Sequence, residues 1–537
     1  MTSEPTQHYD ADVVIIGSGA AGGCAAIEAH DAGANVVLLE KQPEATHYSN
    51  TRMRGGGFHS PSPDGEWAAI KAYAQAMFSG ENLPHKLEGE QPEFSDALAA
   101  AWATYAPQND AFMRGLDPQC QTFRSAGAAF PDFPGADRAR YACLRSTYTG
   151  AIADLSPGTK DAAKTLKEAG EAFHTCLLTG VQARNIPIHY DTSATALRTN
   201  DAGEVTGVTA VRDGQPIVYH ARRAVLITSG GYEYNPRMRK AFLDGPGKEG
   251  WAFYGSPANT GDGIRMVLKI GAALAKIGSV AGRVICAIPE RRLGLKIGLN
   301  TSSVGKPHAI VVDHHGRRYA AERRMTKDPS HYIFYKEALQ FDTVTLTYPR
   351  IPSWMIFDTT LMHNGALVSA SAASYNGIDW DQGNHNALRN GWIVQGATLA
   401  ELAANIRAHP DNRATMDAAT LTQQVETWNR YCAAQHDPDF DAEPNTMGAL
   451  HTPPYYAIPL YPGGPNTKGG LRANARREVL DWDDTPIPRL YAAGEICSVF
   501  QFVYQGGGNL AECIVFGRIA GQNAAAEVPL ETASNPH

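Results

Sequence analysis

The sequence predicts an α/β protein: a Rossmann-like domain made from the two ends of the chain and interrupted by an inserted α+β unit. Three observations lead there. Near the start, the short apolar run Ala11–Ile16 ends in the glycine-rich turn GSGAAG. Near the end, RLYAAGE reads as a strand running into a turn, and residues 509–526 read as a Gly/Ala-containing helix. Between residues 280 and 460, aromatics, prolines and histidines become common and the patterns of the two ends stop. The division that follows puts residues 1–278 and 462–537 in one domain and 279–461 in a cap that covers it.

In chain order, GSGAAG is followed by CAAIEAHDAG, of helical composition, and by the apolar NVVLLEK, a second strand. Strand, helix and strand make a βαβ unit of about 30 residues. A second glycine-rich block spans Arg54–Phe58, and residues 68–115 and 159–184 are Ala-rich with helical spacing. Between 186 and 226, IPIHY, EVTGVTAV, PIVYHA and AVLIT read as four strands separated by turn residues such as Asp213-Gly214. AVLIT ends on a Ser-Gly-Gly turn, and in NTGDGIRMVLKIGA Thr260 and Asp262 are expected to cap a helix starting near Gly263. There are no repeats and no low-complexity linker.

The totals exclude several classes. At 537 residues the chain exceeds one common domain, so two domains or one interrupted domain are expected. A net charge of −8 with scattered Lys and Arg argues against nucleic-acid binding. No apolar run approaches the roughly 20 residues that cross a bilayer, and the N-terminus, MTSEPTQHYD, does not read as a signal peptide. Eight dispersed cysteines without a CxxC pair read as reduced thiols of a cytoplasmic protein, with neither disulfides nor a metal site. Redox chemistry then needs an organic cofactor.

Gly17, Gly19 and Gly22 give G-x-G-x-x-G directly after a strand and at a helix start. The first glycine permits the tight turn, the second a close pyrophosphate, and the third close helix–strand packing, with the phosphates at the helix N-terminus. Glu40 closes the second strand, where a carboxylate accepts from a ribose hydroxyl.

The same fingerprint serves NAD and FAD, and the rest of the chain decides between them. SNTRMRGGGF, SGGYEYNP, NTGDG, HGRRYAAE, TKGGL and LYAAGEI with GGGNLAECIVFGRIAG, taken together with GSGAAG and Glu40-Lys41, carry the match. Over most of its length the chain resembles the fumarate reductase/succinate dehydrogenase flavoprotein superfamily, and within it the 3-ketosteroid dehydrogenases. The resemblance implies FAD. It places Gly17, Gly19, Ala20, Ala21, Gly22, Glu40, Lys41, Asn50, Thr51, Arg52 and Gly55, Gly56 and Gly57 at the cofactor. It adds Ala194, Gly230, Gly231, Asp262, Gly494, Glu495, Asn509 and Leu510. The N–H groups of Asn509 and Leu510 would face the flavin edge that becomes anionic on reduction, where a positive helix end favours charge. Asn50 stands where succinate dehydrogenases carry the histidine that bonds the flavin, so FAD is expected to be noncovalent. His47, nearby, reads as a loop histidine.

The resemblance also bears on substrate. Fumarate reductases grip two carboxylates with a histidine in HTxGG and an arginine in NRLGGN, where this chain has Asn466 and Gln505. Burying a dicarboxylate without those charges is costly. Tyr504 and Gly508 match the tyrosine and glycine with which ketosteroid dehydrogenases hydrogen-bond the substrate ketone, stabilising an enolate. The implied activity is desaturation of a neutral, apolar, 3-ketosteroid-like ketone, with an electron acceptor the sequence does not name. The family's proton-transfer position falls on Thr326, a poor base, so Lys327, Tyr332 and Tyr335 are the candidates, with Lys327 or Arg324 able to lower a tyrosine's pKa. Phe133 stands where those enzymes have an assisting tyrosine; either Tyr141 or Tyr148 replaces it, or a different bond is desaturated. The alternatives are an ene-reductase for an enone or mono-acid, a flavin electron-transfer protein without C–H chemistry and, disfavoured by every match past the fingerprint, a hydroxylating monooxygenase.

Overall fold

The computed structural model describes residues 7–53, 55–80, 92–125, 130–150, 170–323, 332–369, 376–500 and 502–531. β1 (Gln7–Ile16), α1 (Ala20–Asp31) and β2 (Val36–Leu39) form the opening βαβ unit. β1 lies inside an eight-stranded sheet: residues 11–16 are all buried and, Asp12 apart, apolar. Parallel strands pack on either side of it, Val36–Leu39 and then Ile188–His189 on one, Gln215–Ile227 and then Pro486–Ala492 on the other. The last of these comes from the far end of the chain, so the ends build one sheet. Thr192–Thr199 and Val205–Arg212 extend it as antiparallel strands.

Two sequence expectations change here. PIVYHA and AVLIT are one strand, Gln215–Ile227, not two. The Arg222-Arg223 pair that divides the apolar pattern lies within it, and Arg222 pairs with Asp12 of β1 at 2.8 Å. TSATALRT, which carries no long apolar run, is also a strand, paired with Val205–Arg212, and its first residue, Thr192, donates its N–H to the Glu40 carbonyl at 2.9 Å. The helix after NTGDG spans Asp262–Leu268; its N-cap is Gly261 in the left-handed region (φ 72°), with no side-chain cap. Thr260 and Asp262 instead receive the Lys41 ammonium, at 2.8 and 2.6 Å.

The closing helix, Gly508–Ala526, is buried along most of its length and lies against α1. Close approach needs small residues on both: a Cβ on Gly517 or Gly521 would meet the Ala21 or Ala25 carbonyl at 2.7 or 2.3 Å. The inserted segment supplies six strands of a seven-stranded, largely antiparallel sheet around Tyr455–Gly464, with the helices Leu399–Ala408 and Ala418–Ala434; the seventh strand, Ala252–Phe253, comes from before the expected boundary at 279 and is parallel to its neighbours. It has a core of its own around Trp354, Leu402, Ile406, Val425 and Trp428. Where the chain leaves and returns, Leu274–Val280 pairs antiparallel with Thr467–Leu471. Among the described residues all eight cysteines are free thiols, no cluster suits a metal ion, and no helix is long and apolar enough to cross a membrane.

Candidate cofactor and active site

Four parallel strands end at Ile16, Leu39, Ile227 and Ala492, and their following turns converge on one cavity of about 430 Å³. This is the crevice outside the carboxyl ends of an α/β sheet, where such folds place ligands. Gly17 turns the chain with φ 105°, and a side chain on it would meet the Thr228 carbonyl at 2.7 Å. Gly22 does not face the cavity; its missing Cβ lets α1 sit on β1, 2.0 Å being all the room left to the Gly17 carbonyl.

Of the residues placed at the cofactor by sequence, Gly17, Gly19, Ala20, Ala21, Glu40, Lys41, Asn50, Thr51, Ala194, Gly230, Asp262, Gly494, Glu495, Asn509 and Leu510 line this cavity. Gly22, Arg52, Gly55, Gly56, Gly57 and Gly231 do not. Arg52 is buried against Glu171, with two 2.8 Å hydrogen bonds, and also donates to the His47 carbonyl. Gly231 packs on Thr467, and Gly57 on Cys143.

The electrostatics are set by side chains beneath the lining. Burial works to raise the Glu40 carboxyl, but His47 and the backbone N–H groups of Gln42 and Ser18 outweigh it and hold the pKa down at about 2. His47, expected as a loop residue, is 3 % exposed and sits 3.5 Å from Glu40. Asn50 uses its whole side chain: Nδ2 donates to Glu233 and Glu495, both at 2.9 Å, and Oδ1 accepts from the Ser256 N–H at 2.6 Å. At the other end Asn509 donates to Asn466 at 3.0 Å. Ser49 Oγ, Ser229 Oγ and Asn509 Oδ1 are buried without a partner among the described residues, and all three residues line the cavity. Buried polar atoms demand partners, so the cavity is suited to a ligand rich in hydroxyl, phosphate and ring donors.

The family model of the FAD binding domain matches residues 12–510. The chain belongs to that family. Among curated proteins, the 3-oxosteroid 1-dehydrogenase of Mycobacterium tuberculosis is 27% identical, covering 96% of this chain and 98% of that one. The digoxin reductase of Eggerthella lenta is also 27% identical, over 97% and 88%. Among solved structures, a 3-ketosteroid Δ1-dehydrogenase from Sterolibacterium denitrificans superposes with a TM-score of 0.78 at 23% identity, covering 96% and 99%, and shows a shared fold. FAD is the cofactor, and the protein is an FAD-dependent oxidoreductase of the ketosteroid dehydrogenase/fumarate reductase group. The orphaned serine and asparagine atoms and the glycine cradle fit that group.

The flavoprotein's expected substrate-side residues lie on the turn before the closing helix. Tyr504 is buried, with its ring edge-on to Phe500. The Gly508 N–H, expected as a second donor, already donates to the Gln505 carbonyl at 2.9 Å. The turn is held from beneath by two residues that sequence reading missed. His59 Nε2 meets the Gly506 carbonyl at 2.7 Å, and Tyr73 donates to Gln505 Oε1 at 2.6 Å. Tyr73 rests on Phe133 and Tyr141, whose hydroxyl accepts from Trp102 at 2.8 Å. Lys468 is fully buried beside Glu512 (3.0 Å) and lies over the Phe500 and Tyr504 rings, at 4.5 and 5.1 Å. Of the candidate bases, Tyr335 is buried with its ring on Gly282, where a Cβ would come within 2.2 Å. Lys327, Thr326 and Arg324 lie outside the described residues, as does the side chain of Tyr332, which begins the helix Tyr332–Ala338.

Proposed function

We infer that the flavoprotein removes two hydrogens from adjacent carbons of a neutral, bulky, apolar ketone, most simply a 3-ketosteroid. The observation that supports this best is the neutrality of two buried positions. Asn466 is bonded to Asn509 and Gln505 to Tyr73, so neither is a cation for a substrate carboxylate, and both are engaged with the protein. A ketone brings no charge that those positions must meet. The names of the curated relatives, one a 3-oxosteroid 1-dehydrogenase and one a digoxin reductase, support the same class of polycyclic substrate.

On this reading FAD, held noncovalently between the domain 1–278 with 462–537 and the cap 279–461, supplies the acceptor for the hydrogen that leaves with its electron pair. Tyr504 donates its hydroxyl to the ketone oxygen. The Gly508 N–H joins it by turning from the Gln505 carbonyl to the substrate. Two donors on one oxygen stabilise the enolate that forms as the α-proton leaves. Tyr335 takes that proton, with the Lys336 side chain lying over its ring at 5.4 Å. An external acceptor then reoxidises the protein. The decisive experiment is anaerobic addition of 3-ketosteroids: flavin absorbance bleaches if the saturated ketone is oxidised. Bleaching by an added reductant that an enone then reverses, with no response to saturated ketones, supports the ene-reductase direction instead.

A further inference from the structure

His59 holds the substrate-side turn at two points. Its backbone N–H donates to the Gly507 carbonyl at 3.2 Å, and its ring Nε2 meets the Gly506 carbonyl at 2.7 Å. A carbonyl only accepts, so Nε2 carries the proton and Nδ1 is bare. Nδ1 is buried without a partner among the described residues. Burial pushes the ring down to about 4, so it is neutral near pH 7 and keeps a single N–H. A buried nitrogen without a partner lowers stability. A phenyl ring would avoid that loss but could not donate to Gly506.

His59 is itself fixed. Its carbonyl accepts from Asn109 Nδ2 at 2.8 Å, its strand, Gly57–His59, pairs with Cys143–Tyr148, and Tyr141 stands edge-on to its ring at 5.6 Å. Gly507 lies directly against that ring: a Cβ there would meet His59 Cδ2 at 2.9 Å, and its φ of 94° favours glycine. The Gly507 carbonyl and the Gly508 N–H belong to one planar peptide unit, which turns as a whole. The Gly508 N–H can leave the Gln505 carbonyl only if that unit pivots at Gly507, loosening the longer 3.2 Å bond. The shorter bond to Gly506 lies on the other side of the pivot and can stay.

We propose that His59 is a positioning residue: its ring anchors the Gly506 carbonyl, so that the next peptide unit swings the Gly508 N–H onto the ketone oxygen in one orientation. His59 has this role only on the Tyr504–Gly508 reading of the site, to which it adds the group that aims the second donor.

The test combines binding to the oxidised holoenzyme, read by flavin absorbance and calorimetry, with stopped-flow reduction. The probes are a saturated 3-ketosteroid and a steroid whose A ring is a 3-phenol, which as phenolate mimics the enolate. His59→Phe keeps a ring and loses the donor. His59→Asn carries its amide where Nδ1 stands, short of Gly506, and His59→Gln carries one where Nε2 stands. In Phe or Asn, whichever folds, the preference for phenol over ketone should fall about ten-fold, the range of one charge-assisted hydrogen bond. Flavin reduction at saturating ketone should fall about as much, while ketone binding and FAD content hold. His59→Gln should regain most of both. A loss shared equally by His59→Gln, a loss confined to ketone binding, or a phenol preference that Phe and Asn leave intact overturns the anchor. No phenol preference in the unaltered protein overturns it together with the two-donor site. If no ketosteroid bleaches the unaltered protein, the desaturation reading fails, and the phenol ratios still decide the role of His59.

Discussion

Asn50 donates its side-chain amide to Glu495 at 2.9 Å, joining residues 445 positions apart at the edge of the cofactor cavity. The same amide reaches Glu233, which is fully buried. Asn50→Asp would set a carboxylate between two others and remove the only donor they share through this residue. Like charges held together out of water are strongly unfavourable. The variant should lose FAD on gel filtration, with an apparent Kd raised at least about ten-fold, whereas Asn50→His should be tested for a covalent flavin by acid precipitation. Asn50→Asp that keeps its FAD stoichiometrically would show that this bridge does not hold the site together.

Gly22 and Gly115 make a matched pair. A methyl group on Gly22 meets the Gly17 carbonyl at 2.0 Å and Thr228 Oγ1 at 2.8 Å, so α1 must move off β1; a methyl on Gly115 meets nothing within 4 Å. Gly22→Ala should abolish FAD retention or folding. Gly115→Ala, at the end of a helix, should leave the melting temperature unchanged or raised, by at most about 1 kcal/mol in stability. Soluble, yellow Gly22→Ala protein would contradict the packing argument.

What could be read in advance follows from the range of the signal. The opening strand, turn, helix and Glu40 are contiguous and carry their meaning in spacing, so G-x-G-x-x-G sufficed to place the cavity at the strand ends. Gly494, Glu495 and Asn509 came from family likeness and line the same cavity. Arg52 was placed at the flavin by its neighbours in the motif, yet its partner, Glu171, is 119 residues away and invisible to local pattern. His59 and Tyr73 were missed for the same reason: their partners lie 447 and 432 residues off. The single strand Gln215–Ile227 was divided because two charged residues break an apolar pattern; Arg222 fits there with its side chain partly exposed and paired with Asp12 on the neighbouring strand.

Buried histidines give the protein a pH dependence near neutrality. Burial pushes His59 down to about 4, and burial together with His47 and Arg52 pushes His174 well below its usual value. The unfolded chain takes up a proton at each near pH 6.5. Between that pH and the lower folded values the unfolded state binds more protons, so stability falls as pH falls, by up to about 1.4 kcal/mol per unit per histidine. Glu40 acts elsewhere: its depressed value keeps its contribution intact until pH falls below the ordinary carboxylate range toward 2. The melting temperature should therefore drop from pH 7 to pH 5, and less steeply in His174→Gln. A flat profile over that interval would rule out uncharged burial of these rings.

Lys468 and Glu512 form a buried pair under Tyr504, with Ser498 donating to the carboxylate at 2.8 Å and the Val499 N–H at 3.1 Å. Lys468→Met strands an anion in the core and should cost about 3–5 kcal/mol. Lys468→Met with Glu512→Gln removes both charges and should recover much of the loss. Chemical denaturation of the four proteins of the cycle measures the coupling; additive losses would mean that the pair does not interact across its 3.0 Å separation.

Tyr504 and Tyr335 are separable by their effects. On the proposed mechanism Tyr504→Phe removes one donor from the ketone oxygen, a change that elsewhere costs about 10²–10³ in kcat, and leaves packing against Phe500 in place. If Tyr335 is the base as proposed, the rate lost in Tyr335→Phe should be regained in part by raising pH or adding a small external base, neither of which helps Tyr504→Phe. Gly282→Ala separates position from chemistry, because its methyl group displaces the Tyr335 ring without altering the hydroxyl; kcat should fall while FAD content holds. Stopped-flow bleaching of each variant by the same ketone reads these rates directly. Near-normal bleaching in Tyr504→Phe would remove the oxyanion donor from the mechanism, and near-normal bleaching in Tyr335→Phe would move the base to another residue of the 326–335 segment.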